Sequence, residues 1–267
     1  MIMRSIAAEF TKLKRSKTVL WTIVALLAFA GISLAIAPYL SSEEGAASLS
    51  EAGGMWKQAV EAGIYDDTWK AALHQLPMAM TSGLALLLFA FVAAYVFGHE
   101  FKERTMTSAL TAPVRREYLV ASKMVVVGAW LAGLTVLMLL FHVIDLLVLG
   151  APSGFSWSLI LGALGDAMLV AFMLYLTMPV FALLAVWGRG YLRPMLGVVV
   201  LLGMGNGLAT TDISRYFPIN MPLHIYGTSW MPIPQSHLNA GSWVVLLCVF
   251  AVGLVGTIWY VNHADVA

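Results

Sequence analysis

Three ionisable residues stand inside long apolar stretches of the chain: His142, Asp145 and Asp166. A charged side chain at the centre of a bilayer costs about 3 kcal/mol unless it finds a partner or water, so these residues need an explanation. His142 precedes Asp145 by three residues and therefore shares its helix face. One hypothesis is that the three residues line a polar translocation path or tune a proton-sensitive step. The other is that they form interhelical hydrogen bonds between the helix of His142 and Asp145 and the helix of Asp166.

The sequence lacks the motifs that mark catalytic sites. It contains no Walker A motif, no H-E-x-x-H metal pair and no G-x-S-x-G elbow. Gly203 and Gly207 lie inside an apolar run, where their spacing favours close helix packing over a nucleotide loop. Cys248 is the single cysteine, which excludes an intrachain disulfide and a cysteine metal site. We therefore predict no catalytic residue, metal site or cofactor in this chain itself.

The composition indicates what must position these residues. The chain has 267 residues, of which 60% are hydrophobic and 11% charged, and its mean hydropathy is +0.85. A soluble domain could not bury so much apolar surface. Since about 20 apolar residues cross a bilayer as a helix, we predict a single all-α, polytopic membrane domain with six transmembrane helices, at residues 18–40, 76–97, 120–149, 158–186, 195–210 and 241–260.

The segments between the spans differ in character. Residues 1–17 have apolar residues on one face and charged residues on the others, which predicts an amphipathic helix lying in the membrane interface. A signal peptide is the competing interpretation, but the apolar run that follows is long and Pro38 would directly follow the cut. Residues 41–75 form an acidic external segment. Residues 211–240 are rich in aromatics and prolines, which predicts a partly re-entrant or interfacial external segment.

Basic residues give the orientation. With the N-terminus inside, only Lys57, Lys70 and Arg215 lie outside. The other twelve of the 15 basic residues lie in the cytoplasm: Arg4, Lys12, Lys14, Arg15, Lys17, Lys102, Arg104, Arg115, Arg116, Lys123, Arg189 and Arg193. This bias predicts a multi-pass protein with both termini cytoplasmic. A net charge of +1 without a basic tract argues against nucleic acid as a partner.

A charged segment, residues 98–119, separates the predicted second and third spans. Its first part contains no helix breaker, whereas Pro113 disfavours helix at Ala112 and turns the chain back. The segment therefore predicts a short helix, about Glu100 to Thr111, at the cytoplasmic face of the membrane. A short helix that lies across the membrane face offers a surface to which another protein can bind and apply force.

The order of residues in this segment resembles the membrane subunits of type-2 ATP-binding-cassette (ABC) exporters, which include bacitracin and lantibiotic self-protection permeases. In that family the second span is followed by Glu, a small residue and Thr, a Leu pair, Pro, Arg, and a Lys that opens the third span. The matching residues here are Glu100, Thr105, Leu110, Pro113, Arg116 and Lys123. Arg104 stands where Gly is usual, and Ala109 replaces one Leu.

The resemblance implies that this segment is a coupling helix that docks into a separate ABC ATPase subunit, which binds ATP and Mg. The coupling residues would be Glu100, Lys102, Glu103, Arg104, Thr105, Leu110, Pro113 and Arg116. It also implies a second permease copy, as homodimer or heterodimer, contact with membrane lipid, a bacterial plasma membrane location, and export of an amphipathic substrate such as an antibiotic peptide or lipid-like molecule. The alternatives are an ion-coupled carrier using Asp145, Asp166 and His142, an intramembrane enzyme, and a sensory partner of an ATPase.

Overall fold

The structure is a computed structural model that describes residues 2–40, 42–52, 68–81, 83–103, 115–148, 156–226 and 238–263. Within these ranges every regular element is a helix, which confirms the all-α prediction. The helices are α1 (Ile2–Arg15), α2 (Lys17–Leu40), α3 (Glu43–Ala52), α4 (Thr68–Thr81), α5 (Leu84–Lys102), α6 (Arg116–Val148), α7 (Trp157–Tyr175), α8 (Met178–Trp187), α9 (Leu192–Leu208), a 3₁₀ helix (Asp212–Tyr216), α10 (Leu223–Tyr226) and α11 (Ala240–His263).

Among the residues described, four helical stretches are long and apolar enough to cross a membrane. They are Ala85–Lys102, Arg116–Val148, the continuous pair Trp157–Trp187, and Ala240–His263. Lys17–Ala28 of α2 and all of α9 are shorter apolar helices. The chain is therefore a multi-pass membrane protein by length and composition, while the count of six spans stays a prediction. Most of the predicted coupling helix lies outside the described residues, which stop at 103 and resume at 115.

The predicted second span, residues 76–97, is not one helix. Gly83 adopts φ +90°, a left-handed conformation that ends α4 and begins α5. The first part, α4, packs most extensively against α6 and α7, whereas the most extensive contacts of α5 are with α8 and α9. The apolar residues 76–97 therefore form two helices instead of one. The break falls at a glycine, which adopts this backbone conformation without strain.

Helix α1 folds back along α6. Leu13 is buried, whereas Met3 and Phe10 remain exposed. The Ser5 and Ser122 hydroxyl oxygens lie 2.9 Å apart across the α1–α6 contact. The predicted helix therefore forms, and the structure adds that it packs mainly against α6.

The segment after α9 packs back onto the bundle. The Asn220 side-chain amide donates to the Gly205 carbonyl at 2.8 Å and to the Ser214 hydroxyl at 3.1 Å. A Cβ added to Gly205 would lie 2.7 Å from Asn220 Oδ1. The packing role predicted for Gly203 and Gly207 is wrong within the described chain, because a Cβ at either position would meet nothing within 4 Å. The close approach is at Gly205, between them.

We predict that Gly83→Ala destabilises the protein. A Cβ there would lie 2.9 Å from Leu202 Cδ2, and the left-handed conformation costs a non-glycine residue about 1–2 kcal/mol. Thermal unfolding of the detergent-purified protein measures the effect. Gly133→Ala is the matched control, because nothing lies within 4 Å of its Cβ position in α6. An equal melting temperature for Gly83→Ala and the wild type would contradict the prediction.

Candidate functional site

Four charged side chains meet where α1 crosses the ends of α5 and α6. The Lys12 ammonium lies 2.7 Å from Glu9 Oε1 and 2.7 Å from Glu100 Oε1. The Lys123 ammonium lies 3.2 Å from Glu9 Oε2 and 3.2 Å from Glu100 Oε2. Each lysine therefore bridges both carboxylates. We call Glu9, Lys12, Glu100 and Lys123 the ionic quartet.

Three members of the quartet are buried: Glu9, Glu100 and Lys123. The Lys123 ammonium also donates to the Val96 carbonyl at 2.8 Å and lies 5.9 Å from the centre of the Phe97 ring. Two carboxylates and two ammonium groups cancel in formal charge. Removing one buried partner would leave an uncompensated charge, which is far more costly than the loss of a surface ion pair.

Lys12 is the open side of the quartet, with its side chain 52% exposed. Burial lowers the pKa of Lys12, but the hydrogen bonds and negative charges of Glu100 and Glu9 outweigh it, so the pKa lies above the ordinary 10.5. A raised lysine pKa contributes stability that is complete below about pH 10.5 and is lost as the pH rises through the raised value. At neutral pH Lys12 is therefore a fixed positive charge.

The sequence interpretation recognised only part of this arrangement. Glu9 and Lys12 are three residues apart on α1, and their partners lie 88 and 114 residues further along the chain. Glu100 stands in the last turn of α5, and Lys123 lies two turns into α6. The sequence does show that Glu9 and Lys12 have opposite charges on an amphipathic helix, and that Glu100 and Lys123 stand at the ends of two apolar stretches. Their pairing requires knowledge that α1 folds back along α6.

The predicted coupling residues are distributed as follows. Glu100 faces α1 inside the quartet. Lys102 and Glu103 are exposed, with the Lys102 ammonium 5.0 Å from the centre of the Tyr191 ring and Glu103 Oε2 3.0 Å from His99 Nε2. Arg116 donates to the carbonyls of Val261 and Asn262 at 3.0 and 2.8 Å, which joins the start of α6 to the end of α11. The remaining four, Arg104, Thr105, Leu110 and Pro113, lie outside the described residues.

The turn between α8 and α9 contacts the same end of α5. His99 Nδ1 lies 3.1 Å from the Tyr191 hydroxyl, and the Tyr95 ring stacks on His99 at 4.6 Å. A Cβ on Gly98 would lie 3.0 Å from the Gly190 carbonyl oxygen. Burial, with Tyr95 and the charge of Glu103, raises the pKa of Tyr191 to about 12, which keeps the phenol protonated. The end of α5 and the turn between α8 and α9 are thus neighbours. The distribution of basic residues predicts that both lie on the cytoplasmic side.

Two of the three predicted translocation-path residues, His142 and Asp166, have partners within the described chain. His142 is buried, and its Nδ1 lies 2.9 Å from the Met138 carbonyl in the preceding turn. Asp166 is exposed and accepts a hydrogen bond of 3.0 Å from the Tyr226 hydroxyl. Burial, that hydrogen bond and the Asp166 charge all raise the pKa of Tyr226. The side chain of Asp145 lies outside the described residues.

A histidine that the sequence interpretation did not select lies near Asp166. Burial lowers the pKa of His74 on α4, and the negative charge of Asp166 acts in the opposite direction.

The contact between Asp166 and Tyr226 joins α7 to α10, since Tyr226 is the last residue of that short helix. Asp166 therefore ties the fourth predicted span to the segment after α9.

Comparison with known proteins gives two matches. The model of a family described as "ABC-2 family transporter protein" matches residues 5–206, a range that contains the whole ionic quartet. The bacitracin transport permease protein BCRB of Bacillus licheniformis is 24% identical over 184 residues, which cover 67% of this chain and 84% of the relative. The resemblance drawn from the charged segment is thereby confirmed at the level of the family.

We predict that Lys123→Met lowers the free energy of unfolding much more than Lys12→Met. The Lys123 side chain is 4% exposed and that of Lys12 52%. Breaking a buried pair costs about 3–5 kcal/mol, whereas the Lys12 ammonium is half exposed, so that water can partly replace it beside the two carboxylates. Unfolding of the purified protein at neutral pH measures both variants.

A double-mutant cycle separates pairing from packing. Glu100→Gln combined with Lys123→Met removes one charge of each sign, so the double variant should be less destabilised than the sum of the single variants. Strictly additive losses would show that the quartet is not an electrostatic unit, and equal losses for the two lysine variants would contradict the predicted order.

Proposed function

This chain belongs to the ABC-2 family of transporter proteins, and we propose that it is the membrane-spanning permease of an exporter driven by a separate ATPase subunit. The observation that carries the proposal is the ionic quartet. It ties the end of α5 and the start of α6 to each other and to α1, at the base of the segment that joins them. A force applied to this segment would therefore act on α5 and α6 at the same time.

The first step of the proposed mechanism lies at the base of residues 104–114. The described residues stop at Glu103, three residues beyond Glu100, and resume at Arg115, eight residues before Lys123. Because Glu100 and Lys123 are paired at 3.2 Å, the two ends of the segment cannot separate without exposing buried charge. Movement of the docked segment would therefore carry α5 and α6 together.

The second step lies in the packing of those helices. The buried alanines of α5, Ala90, Ala93 and Ala94, accompany its close packing on α8, where Ala182 and Ala185 are buried as well. Helix α6 contacts α5 as well, but it packs more extensively on α1, α2 and α7. A displacement at the base would thus reach both halves of the bundle. Densely packed helices respond to such a displacement by changing between discrete arrangements.

The energy would come from outside this chain. ATP and Mg would be bound by the partner ATPase subunits, and this chain would work beside a second permease copy, identical or different. Binding energy at the ATPase would then shift a conformational equilibrium in the permease pair. We place the protein in a bacterial plasma membrane with both termini cytoplasmic, which the twelve-to-three distribution of basic residues supports.

The proposed substrate is an amphipathic molecule, either an antibiotic peptide or a lipid-like compound. The support is the relative, whose name assigns it to bacitracin transport. Export of such a compound would confer antibiotic resistance. The ion-coupled alternative is not favoured, because Asp166 already has a structural partner in Tyr226.

The partner ATPase can be tested by affinity purification of the full chain from its native membrane in mild detergent. We expect a nucleotide-binding subunit and ATPase activity to remain with the wild-type chain. Replacement of residues 104–114 by a Gly/Ser segment of equal length should remove both. The same replacement at Glu43–Ala52, in the predicted external segment, is the control and should retain them.

Two outcomes would contradict the proposal. The wild-type chain could purify without an ATPase, or the variant in residues 104–114 could keep the ATPase bound. The melting temperature of each variant is measured in parallel, so that loss of the partner is scored only in folded protein.

We expect Asp145→Asn and Asp166→Asn to retain export. At position 166 the asparagine side-chain carbonyl can still accept the hydrogen bond from Tyr226. Tyr226→Phe removes that bond and should lower the free energy of unfolding by about 0.5–1.5 kcal/mol. Export from cells that express each assembled variant is the measurement. Loss of export in an aspartate variant, with dependence on a cation gradient instead of ATP, would favour the carrier.

A further inference from the structure

The turn that joins α8 to α9 presents arginine and exposed apolar side chains together. The Arg193 guanidinium lies 4.3 Å from the centre of the Trp187 ring and donates to the Trp187 carbonyl at 2.9 Å. A Cβ on Gly188 would lie 2.8 Å from Arg193 Cδ, so glycine at 188 leaves room for this stacked arrangement. One N–H group of Arg193 is thus used to fix the side chain, and a guanidinium has five.

Arg189 occupies an unusual position in the same turn. It has φ +50° and is the one residue other than glycine with positive φ among those described. The Gly188 and Gly190 N–H groups bond to the Leu184 and Ala185 carbonyls, so Arg189 stands just past the end of α8, where glycine is ordinarily favoured. A charged residue kept in a conformation that disfavours it suggests a role for the charge.

The turn continues an apolar face of α9. Leu192 is 74% exposed, and Leu196, Val199 and Val200 follow it along the helix, all exposed. Trp187 is 56% exposed at the end of α8. In a membrane protein such a face contacts acyl chains, and tryptophan and arginine at its end lie at the level of the headgroups.

We propose that this turn binds the headgroup of an anionic phospholipid. Arg193 and Arg189 would contact the phosphate, since guanidinium matches phosphate in charge and in geometry. Trp187 and Leu192 would contact the glycerol region and the upper acyl chain. The neighbouring acid Glu103 is engaged by His99 at 3.0 Å, and the turn contacts α5 through His99 and Tyr191, so a bound lipid would brace the end of α5.

The test is native mass spectrometry of the full-length purified chain with phosphatidylglycerol or phosphatidylcholine added in defined amounts. We expect the wild type to retain phosphatidylglycerol in preference to phosphatidylcholine. Arg189→Gly and Arg193→Gln should each weaken phosphatidylglycerol binding about fivefold, the usual effect of one basic residue near an anionic surface. Lys70→Gln is the matched control: it removes one positive charge from an exposed position on α4 and should leave binding unchanged.

Arg189→Gly guards against misfolding, because glycine suits the left-handed position and the melting temperature should be at least that of the wild type. Equal binding of the two lipids, or an equal effect of all three substitutions, would overturn the proposal. Displacement of the lipid by millimolar inorganic phosphate would also overturn it and indicate a site for a free anion. Unchanged lipid binding with loss of a co-purifying ATPase would overturn it in favour of a protein partner.

Discussion

A carboxylate that is buried away from water needs a counter-ion, and the junction of α1, α5 and α6 meets that requirement. Glu9 and Glu100 are both buried, and each contacts the same two lysines. Since removal of any one group would leave an uncompensated charge, α1 is held in one relative position to α5 and α6, which lie far from it in sequence. The Ser5–Ser122 contact lies on the same helix pair and extends this junction along α6.

The helices that meet at this junction are also connected to the rest of the bundle. Beyond it, the most extensive contacts of α5 are with α8 and α9, while Gly83 separates α5 from α4, whose most extensive contacts are with α6 and α7. Arg116 ties the start of α6 to the last turn of α11, and Tyr191 ties the turn after α8 to His99. The helix ends on this side are therefore connected, whereas the opposite side is held by the Asp166–Tyr226 contact.

Local pattern predicted the helices well and their partners poorly. Apolar runs marked the membrane-capable helices, and the order of residues from Glu100 to Lys123 indicated the family. Hydropathy cannot show that Gly83 has positive φ, so the second span was predicted as one helix. The amphipathic pattern of α1 places Glu9 and Lys12 off the apolar face, but it does not show which residues they contact. The Asp166–Tyr226 bond spans 60 residues, and pairing at that separation depends on the fold.

The central claim is that α1, α5 and α6 move as one body during transport. A disulfide between Ser5→Cys and Ser122→Cys, with Cys248→Ala to remove the exposed native thiol, would tie α1 to α6 across their hydroxyl contact. The measurement is ATP hydrolysis coupled to transport by the reconstituted complex, first oxidised and then reduced. The account predicts equal rates in both states, because the bond adds nothing that the junction does not already impose. Loss of transport on oxidation, with recovery on reduction, would show that α1 and α6 separate and would contradict it.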